Sequence, residues 1–259
     1  MASKKIKFID LSIPIESVPS DPEFMIPQIE YTDHQGGLAS AQEILGCQPE
    51  DLPLGLGWAV ERLILTSHSG THLDAPWHYA PVSEGKRAKT IDQIPLEWCY
   101  GNGVVLDFRR KKDGALITVE DLKRALRKIR YRIKPRDIVL IMTGADRYWG
   151  KAEYLVKGCG MGRESTLWLL DQGVKVVGID AWSWDRPLPF LKKEFAEKKD
   201  ATILWAAHFA GIEKEYLHIE KMTNLNKLPS HGFTLICFPV KIKSASAGWV
   251  RPVAIVREK

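Results

Sequence analysis

The sequence predicts an α/β fold, a mixed sheet of substantial size with helices set between its strands. Three observations carry this. Short apolar runs rich in Val, Ile and Leu recur along the chain, most strongly at Asp137–Met142 and Val174–Ile179. Two stretches with helical periodicity, Thr118–Ile129 and Arg163–Gln172, lie between such runs. The chain has 259 residues, 45% hydrophobic and 27% charged, enough to build a core without a disulfide or metal to hold it. That length fits one large domain or two small ones, and any metal should be catalytic.

Each element has a local reason. Phe8–Ser12 reads as a short strand. Pro14–Pro53 is rich in Pro, Gly and Asp and weakly periodic, so it should form loops or short pieces arching over a site. Ala59–Thr66 is a strand that delivers the chain into a histidine-rich segment, and Gly103–Phe108 is another. Thr118 offers a helix N-cap with Asp121 three residues on, as in a capping box. The helix Arg163–Gln172 closes at Gly173. Ala201–Ala207 reads as a strand leading to His208, and Phe233–Pro239 and Val253–Val256 complete the set.

Charge and cysteine usage narrow the function. The net charge of +5 is spread along the chain, and the densest basic stretch, Lys123–Arg136, reads as the wet face of a helix. No aromatic residues interleave it, which argues against a nucleic-acid partner. Cys47, Cys99, Cys159 and Cys237 are far apart and form no Cys-x-x-Cys pair, as expected for a reducing compartment. Met1–Lys7 contains no apolar signal region and no membrane-length apolar run follows, so a cytoplasmic, non-membrane protein is expected.

The chemistry concentrates in Ser67-His68-Ser69-Gly70-Thr71-His72-Leu73-Asp74-Ala75-Pro76-Trp77-His78. Imidazole and carboxylate are the usual ligands of catalytic zinc, manganese or iron. In extended chain His72 and Asp74 point to one side, and Gly70 permits the turn that lets His68 join them. Gly70 and Pro76 exclude a regular helix through this segment. A lone histidine is more often a core or surface residue. Three histidines and an aspartate within eleven residues, placed directly after a strand, point to metal.

The pattern His-x-Gly-Thr-His-x-Asp-x-Pro-x-His resembles the signature of the cyclase superfamily, which includes bacterial kynurenine formamidase and isatin hydrolase. His68, Gly70, Thr71, His72, Asp74, Pro76 and His78 occupy every fixed position. The resemblance extends from Asp10-Leu11-Ser12 to Ala247-Gly248-Trp249-Val250-Arg251. It implies one swivelling β/β/α domain over residues 1–259, usually in a homodimer or homotetramer. It also implies metal ligation by His68, His72 and Asp74, and an acid–base role for His78. His208 and, twelve residues on, Glu220 match the later histidine and carboxylate. A glutamate at that position resembles the two-metal version of the site, with Asp74 and Glu220 as bridging candidates. His218 alternates with Glu220 and competes as a ligand, but does not match the family position.

This donor set implies a divalent cofactor, Zn or Mn, one or two ions per subunit. Such a site polarises a carbonyl and lowers the pKa of bound water towards ~7. Water at the metal would attack a formamide, aryl amide or cyclic amide, with His78 titrating near neutrality to move the proton. The run Ala181–Phe190 holds Trp182 and Trp184 as substrate-binding candidates, although it could equally pack an interface or pin a loop. Asp185 and Arg186 could simply pair with each other. Bacterial kynurenine formamidases carry a Trp-Pro-Gly-Asp-like run near the N-terminus. Here Val18-Pro19-Ser20-Asp21-Pro22 lacks that Trp, and extra residues lie between Tyr31 and Trp58, so another substrate is expected. Rival readings are a metal-dependent cyclase or dehydratase, kynurenine formamidase proper, and a metal-stabilised binding protein.

Overall fold

The computed structural model describes residues 5–257, so the start of the Met1–Lys7 stretch lies outside the described residues. The described residues hold thirteen strands: β1 Ile6–Asp10, β2 Gln28–Thr32, β3 Val60–Ile64, β4 His72–Asp74, β5 Val82–Ser83, β6 Lys86–Arg87, β7 Tyr100–Asp107, β8 Ile138–Met142, β9 Val176–Ile179, β10 Leu217–Glu220, β11 His231–Ile236, β12 Ala247–Trp249 and β13 Val253–Arg257. The helices are α1 Leu38–Leu45, α2 Pro76–Tyr79, α3 Val119–Lys128, α4 Arg163–Asp171, α5 Leu188–Lys198 and α6 Ala206–Glu213. Nine strands form one sheet in the order β1-β13-β11-β7-β8-β9-β10-β4-β12. Its centre, β7 to β10, is parallel, and its flanks are antiparallel. The mixed α/β expectation is met.

The central strands are apolar because both faces are covered. Val104, Leu106, Val139, Ile141, Val177 and Ile179 face the layer that contains α3 and α4. Their alternates Val105, Ile138, Leu140 and Val176 pack on the opposite face with Leu217, Ile219 and Leu235. The period of two therefore builds two cores from one sheet. In α3 the capping box forms as expected. Thr118 Oγ1 accepts from Asp121 N at 3.2 Å, and Asp121 Oδ2 accepts from Thr118 N at 3.0 Å. Leu122 and Leu126 are buried, while Lys123 and Arg124 pair with Glu120 and Asp121 on the wet side. Gly173, at φ +86°, takes the left-handed conformation just beyond α4 that side chains resist.

One expected element is different. Ala201–Ala207 is not a strand: it forms a single 3-10 turn at Ala201–Ile203 and then enters α6. A short apolar run carries no periodicity that separates strand from helix. Here the caps decide: Asp200 accepts from Thr202 N at 2.9 Å, and Asp185 accepts from Ala207 N and His208 N at 3.0 Å each. The Pro14–Pro53 stretch holds β2, which pairs with β3, and α1, and its Met25 reaches the cavity described below.

Candidate metal centre

Strand β4 lies between β10 and β12, and this places the donors. Across β4 and β10, Asp74 pairs with His218 and His72 with Glu220. Residues two apart share a face, and directly opposed residues share it too. His72, Asp74, His218 and Glu220 thus form a two-by-two grid on one face of the sheet. Upstream, Gly70 at φ +61° turns so close to Ile15 that a Cβ would lie 2.9 Å from its side chain. That turn returns His68 to the grid. Downstream, Pro76 starts the one-turn helix α2, which brings His78 back over Asp74. His208 enters from the first turn of α6, after Trp205 at φ +54°.

The six expected residues come together. His68 Nδ1 and His72 Nε2 lie 3.0 and 3.2 Å from Asp74 Oδ1. Glu220 Oε2 is 3.6 Å from His72 Nε2, and Glu220 Oε1 is 3.6 Å from His208 Nε2. His78 Nε2 is 3.7 Å from Asp74 Oδ2. His218 belongs to the cluster as well, with Nε2 2.8 Å from Asp74 Oδ2 and 3.2 Å from Glu220 Oε1. Atoms held ~2.0–2.2 Å from a single ion are about 3–3.5 Å from one another, so these are spacings of a coordination shell. Each carboxylate divides its two oxygens between two groups of imidazoles, the disposition of a bridging ligand.

The protons point the same way. His72 Nδ1–H donates to Gly70 O at 2.9 Å, and His208 Nδ1–H donates to Asp185 Oδ2 at 2.5 Å. Both Nε2 atoms therefore present a lone pair inward. His68 Nε2 is 3.0 Å from Ser246 Oγ, leaving Nδ1 for the cluster. His72 Nε2, His218 Nε2 and both oxygens of Asp74 are buried without a hydrogen-bond partner. Two adjacent buried carboxylates surrounded by imidazole lone pairs require a cation. The nearby Lys221 does not supply it, since its Nζ is engaged by Asp21 Oδ1 at 2.5 Å and His68 O at 3.0 Å. The residues fit a divalent metal.

Electrostatics sharpen the roles. Burial pushes the Asp74 carboxyl up, but the surrounding imidazoles outweigh it and hold it well below the usual carboxylate range. His78 was expected to titrate near neutrality. Instead burial, helped by the neighbouring His68 and His208, pushes it down to about 3. At neutral pH it is an uncharged base.

The cluster forms the floor of a cavity of about 510 Å³. One wall is the face Leu188, Leu191, Lys192 and Phe195 of α5, at helical spacing. Trp182, Leu204 and Trp205 also line it, with Met25 from the N-terminal segment. Trp182 lines the cavity, with Nε1 donating to Asp21 Oδ1 at 2.6 Å. Trp184 does not. It is fully buried, its Nε1 donates to Thr166 Oγ1 at 3.1 Å, and its backbone N donates to Glu220 Oε1 at 2.7 Å. Its indole fills the core behind the grid, stacked on His218 with ring centroids 6.1 Å apart. Asp185 and Arg186 do not pair with each other: Asp185 orients His208, and Arg186 binds Glu194. Trp205, stacked on His208 at 4.3 Å, was missed, although it stands three residues before a recognised ligand candidate. Asp185 had no sequence signal, because its partner is 23 residues away and the strand expected between them was wrong.

A model of the family described as putative cyclase matches residues 9–186. The kynurenine formamidase of Erythrobacter litoralis is 30% identical over 212 residues, spanning 81% of this chain and 80% of that one. An isatin hydrolase bound to the product analogue thioisatinate superposes with a TM-score of 0.76 at 19% identity, covering 98% of this chain and 93% of that one. Isatin hydrolase A from Ralstonia solanacearum gives 0.73 at 22% identity, covering 97% and 92%. These two structures share the fold. With the family motif filled, the grid assembled and the match running across most of its length, this chain belongs to the putative cyclase family.

Proposed function

We propose that this protein is a metal-dependent hydrolase of a carbonyl–nitrogen bond, acting on a small aryl or cyclic amide. The carrying observation is the convergence of unpartnered imidazole and carboxylate atoms on the floor of an apolar-walled cavity. Kynurenine formamidase among the relatives and isatin hydrolase among the similar folds support the reaction class. His68, His72, Asp74, His208 and Glu220 would hold Zn or Mn, since imidazole nitrogen and carboxylate oxygen suit both. When bound, the ion polarises a carbonyl and lowers the pKa of water. His78, neutral and partly exposed to the cavity, accepts the proton of the attacking water and returns it to the departing nitrogen. Leu188, Leu191 and Phe195 exclude bulk water, and Trp182 and Trp205 offer faces to a planar ring.

The missing N-terminal Trp removes one aromatic contact, worth about 1–3 kcal/mol. N-formylkynurenine is therefore expected to be a poor substrate. Comparing kcat/KM for N-formylkynurenine, formanilide and isatin tests this. A value near ~10⁴ M⁻¹s⁻¹ for N-formylkynurenine, well above the others, refutes the preference. Reaction in heavy-oxygen water tests hydrolysis itself, because a product without the label would instead indicate a cyclase or dehydratase. A homo-oligomer and a cytoplasmic setting belong to the same reading. Exposed Val60, Leu63 and Ile64 on β3 support the first, and four free cysteines the second. No helix among the described residues is long and apolar enough to cross a membrane.

A further inference from the structure

His218 is fully buried, and its role follows from its surroundings. Its Nδ1 lies 3.2 Å from the Tyr79 hydroxyl and 3.3 Å from the Tyr216 hydroxyl. The Tyr216 proton is already committed, donated to Ala207 O at 2.8 Å. The Tyr216 oxygen can then only accept from His218, so Nδ1 carries the proton. Nε2 then faces Asp74 Oδ2 at 2.8 Å and Glu220 Oε1 at 3.2 Å, without hydrogen-bond geometry to either. A lone pair directed at two carboxylate oxygens is repulsive unless a cation sits among them.

We infer that His218 is a metal ligand, the fourth donor of a buried set with Asp74, His208 and Glu220. The inference rests on the metal reading above. Asp74, His208, His218 and Glu220 each offer one donor atom, all within 4.8 Å of one another. Four protein donors close a tetrahedral shell, as in tightly held ions, whereas three leave a place for water or substrate. The side chains of this set are 0–8% exposed. The donors around Asp74 Oδ1, His68 and His72, include His68 at 18% exposure and line the cavity. An ion held by the buried set would fix both carboxylates, and His68 and His72 stand between it and the cavity. Tyr79 and Tyr216 position His218 from behind.

The test uses the full-length chain, stripped with chelator and titrated with Co²⁺ under calorimetric and visible-absorption readout. Wild type should take up a tight equivalent. His218→Ala should weaken it by more than the roughly 10–100-fold that removal of an outer partner causes. His218→Cys should gain a thiolate-to-cobalt charge-transfer band in the near ultraviolet, which arises only if position 218 reaches the ion. If His218→Ala does not fold, the Cys band decides. A wild type that binds no Co²⁺ overturns the metal reading as a whole. A wild type that binds it, with His218→Ala within tenfold and no band from His218→Cys, overturns this inference alone.

Discussion

Replacing Asp185 by Asn removes one negative charge beneath His208 with almost no change in side-chain size. Asp185 is buried and accepts three N–H groups: Ala207 N on Oδ1 at 3.0 Å, and His208 N at 3.0 Å and His208 Nδ1 at 2.5 Å on Oδ2. An amide has one acceptor oxygen, so in either orientation its NH₂ opposes at least one of these donors. The unmatched pair should cost about 1–3 kcal/mol of stability. If the NH₂ faces Nδ1, the His208 proton moves to Nε2, and the lone pair aimed at Glu220 is lost. Losing such an orienting carboxylate typically lowers metal affinity 10–100-fold, about 1.4–2.7 kcal/mol of binding. Chelator-competition titrations with Zn²⁺ or Mn²⁺, run beside urea unfolding of the metal-free chain, separate the two effects. Lower stability with wild-type affinity would make Asp185 only the cap of α6 and refute the argument that it selects the His208 tautomer.

Three further outcomes are expected. His78→Gln should keep its metal, measured by elemental analysis, and lose ~10²–10⁴-fold in turnover. Metal loss in proportion to activity would make His78 a ligand, since the donors of His68, Asp74 and His78 also lie within 4.8 Å of one another. The second concerns pH. Folded His78 is held down at about 3, from an ordinary 6.5, so between these values the unfolded chain binds a proton that the folded one refuses. Its contribution to stability is complete above pH 6.5 and declines as pH falls towards 3, by about 1.4 kcal/mol per pH unit at most. Urea unfolding of metal-free wild type and His78→Gln at pH 6.5 and 4.5 should therefore show the gap shifting in favour of the variant at the lower pH, and a constant gap would contradict it. The third concerns thiols. Only Cys47 of the four cysteines is partly exposed, and burial pushes the Cys159 thiol up to about 12. A disulfide reagent should titrate one thiol quickly in native protein and the rest only on unfolding.

Local patterns decided a large part of this protein. The run Ile138–Met142 had to be a buried strand, because five consecutive apolar residues suit only a position covered on both faces. Thr118 and Asp121 had to start a helix, because each satisfies a backbone N–H of the other. His72 and Asp74 had to share a face, because extended chain alternates with period two, and the spacing from His68 to His78 already indicated a metal. What sequence could not decide was anything set by a partner distant in the chain. His218 joins the cluster through β10's register against β4, and a shift of one residue would turn it away. Ala201–Ala207 leaves the strand conformation because Asp185 caps α6 from outside the segment. Trp182 and Trp184 look equivalent in sequence. Only the packing places the first against the cavity and the second in the core, with its backbone N–H on Glu220. His78 has its low affinity for protons because the fold buries it beside two other imidazoles, a charge environment that no local pattern records.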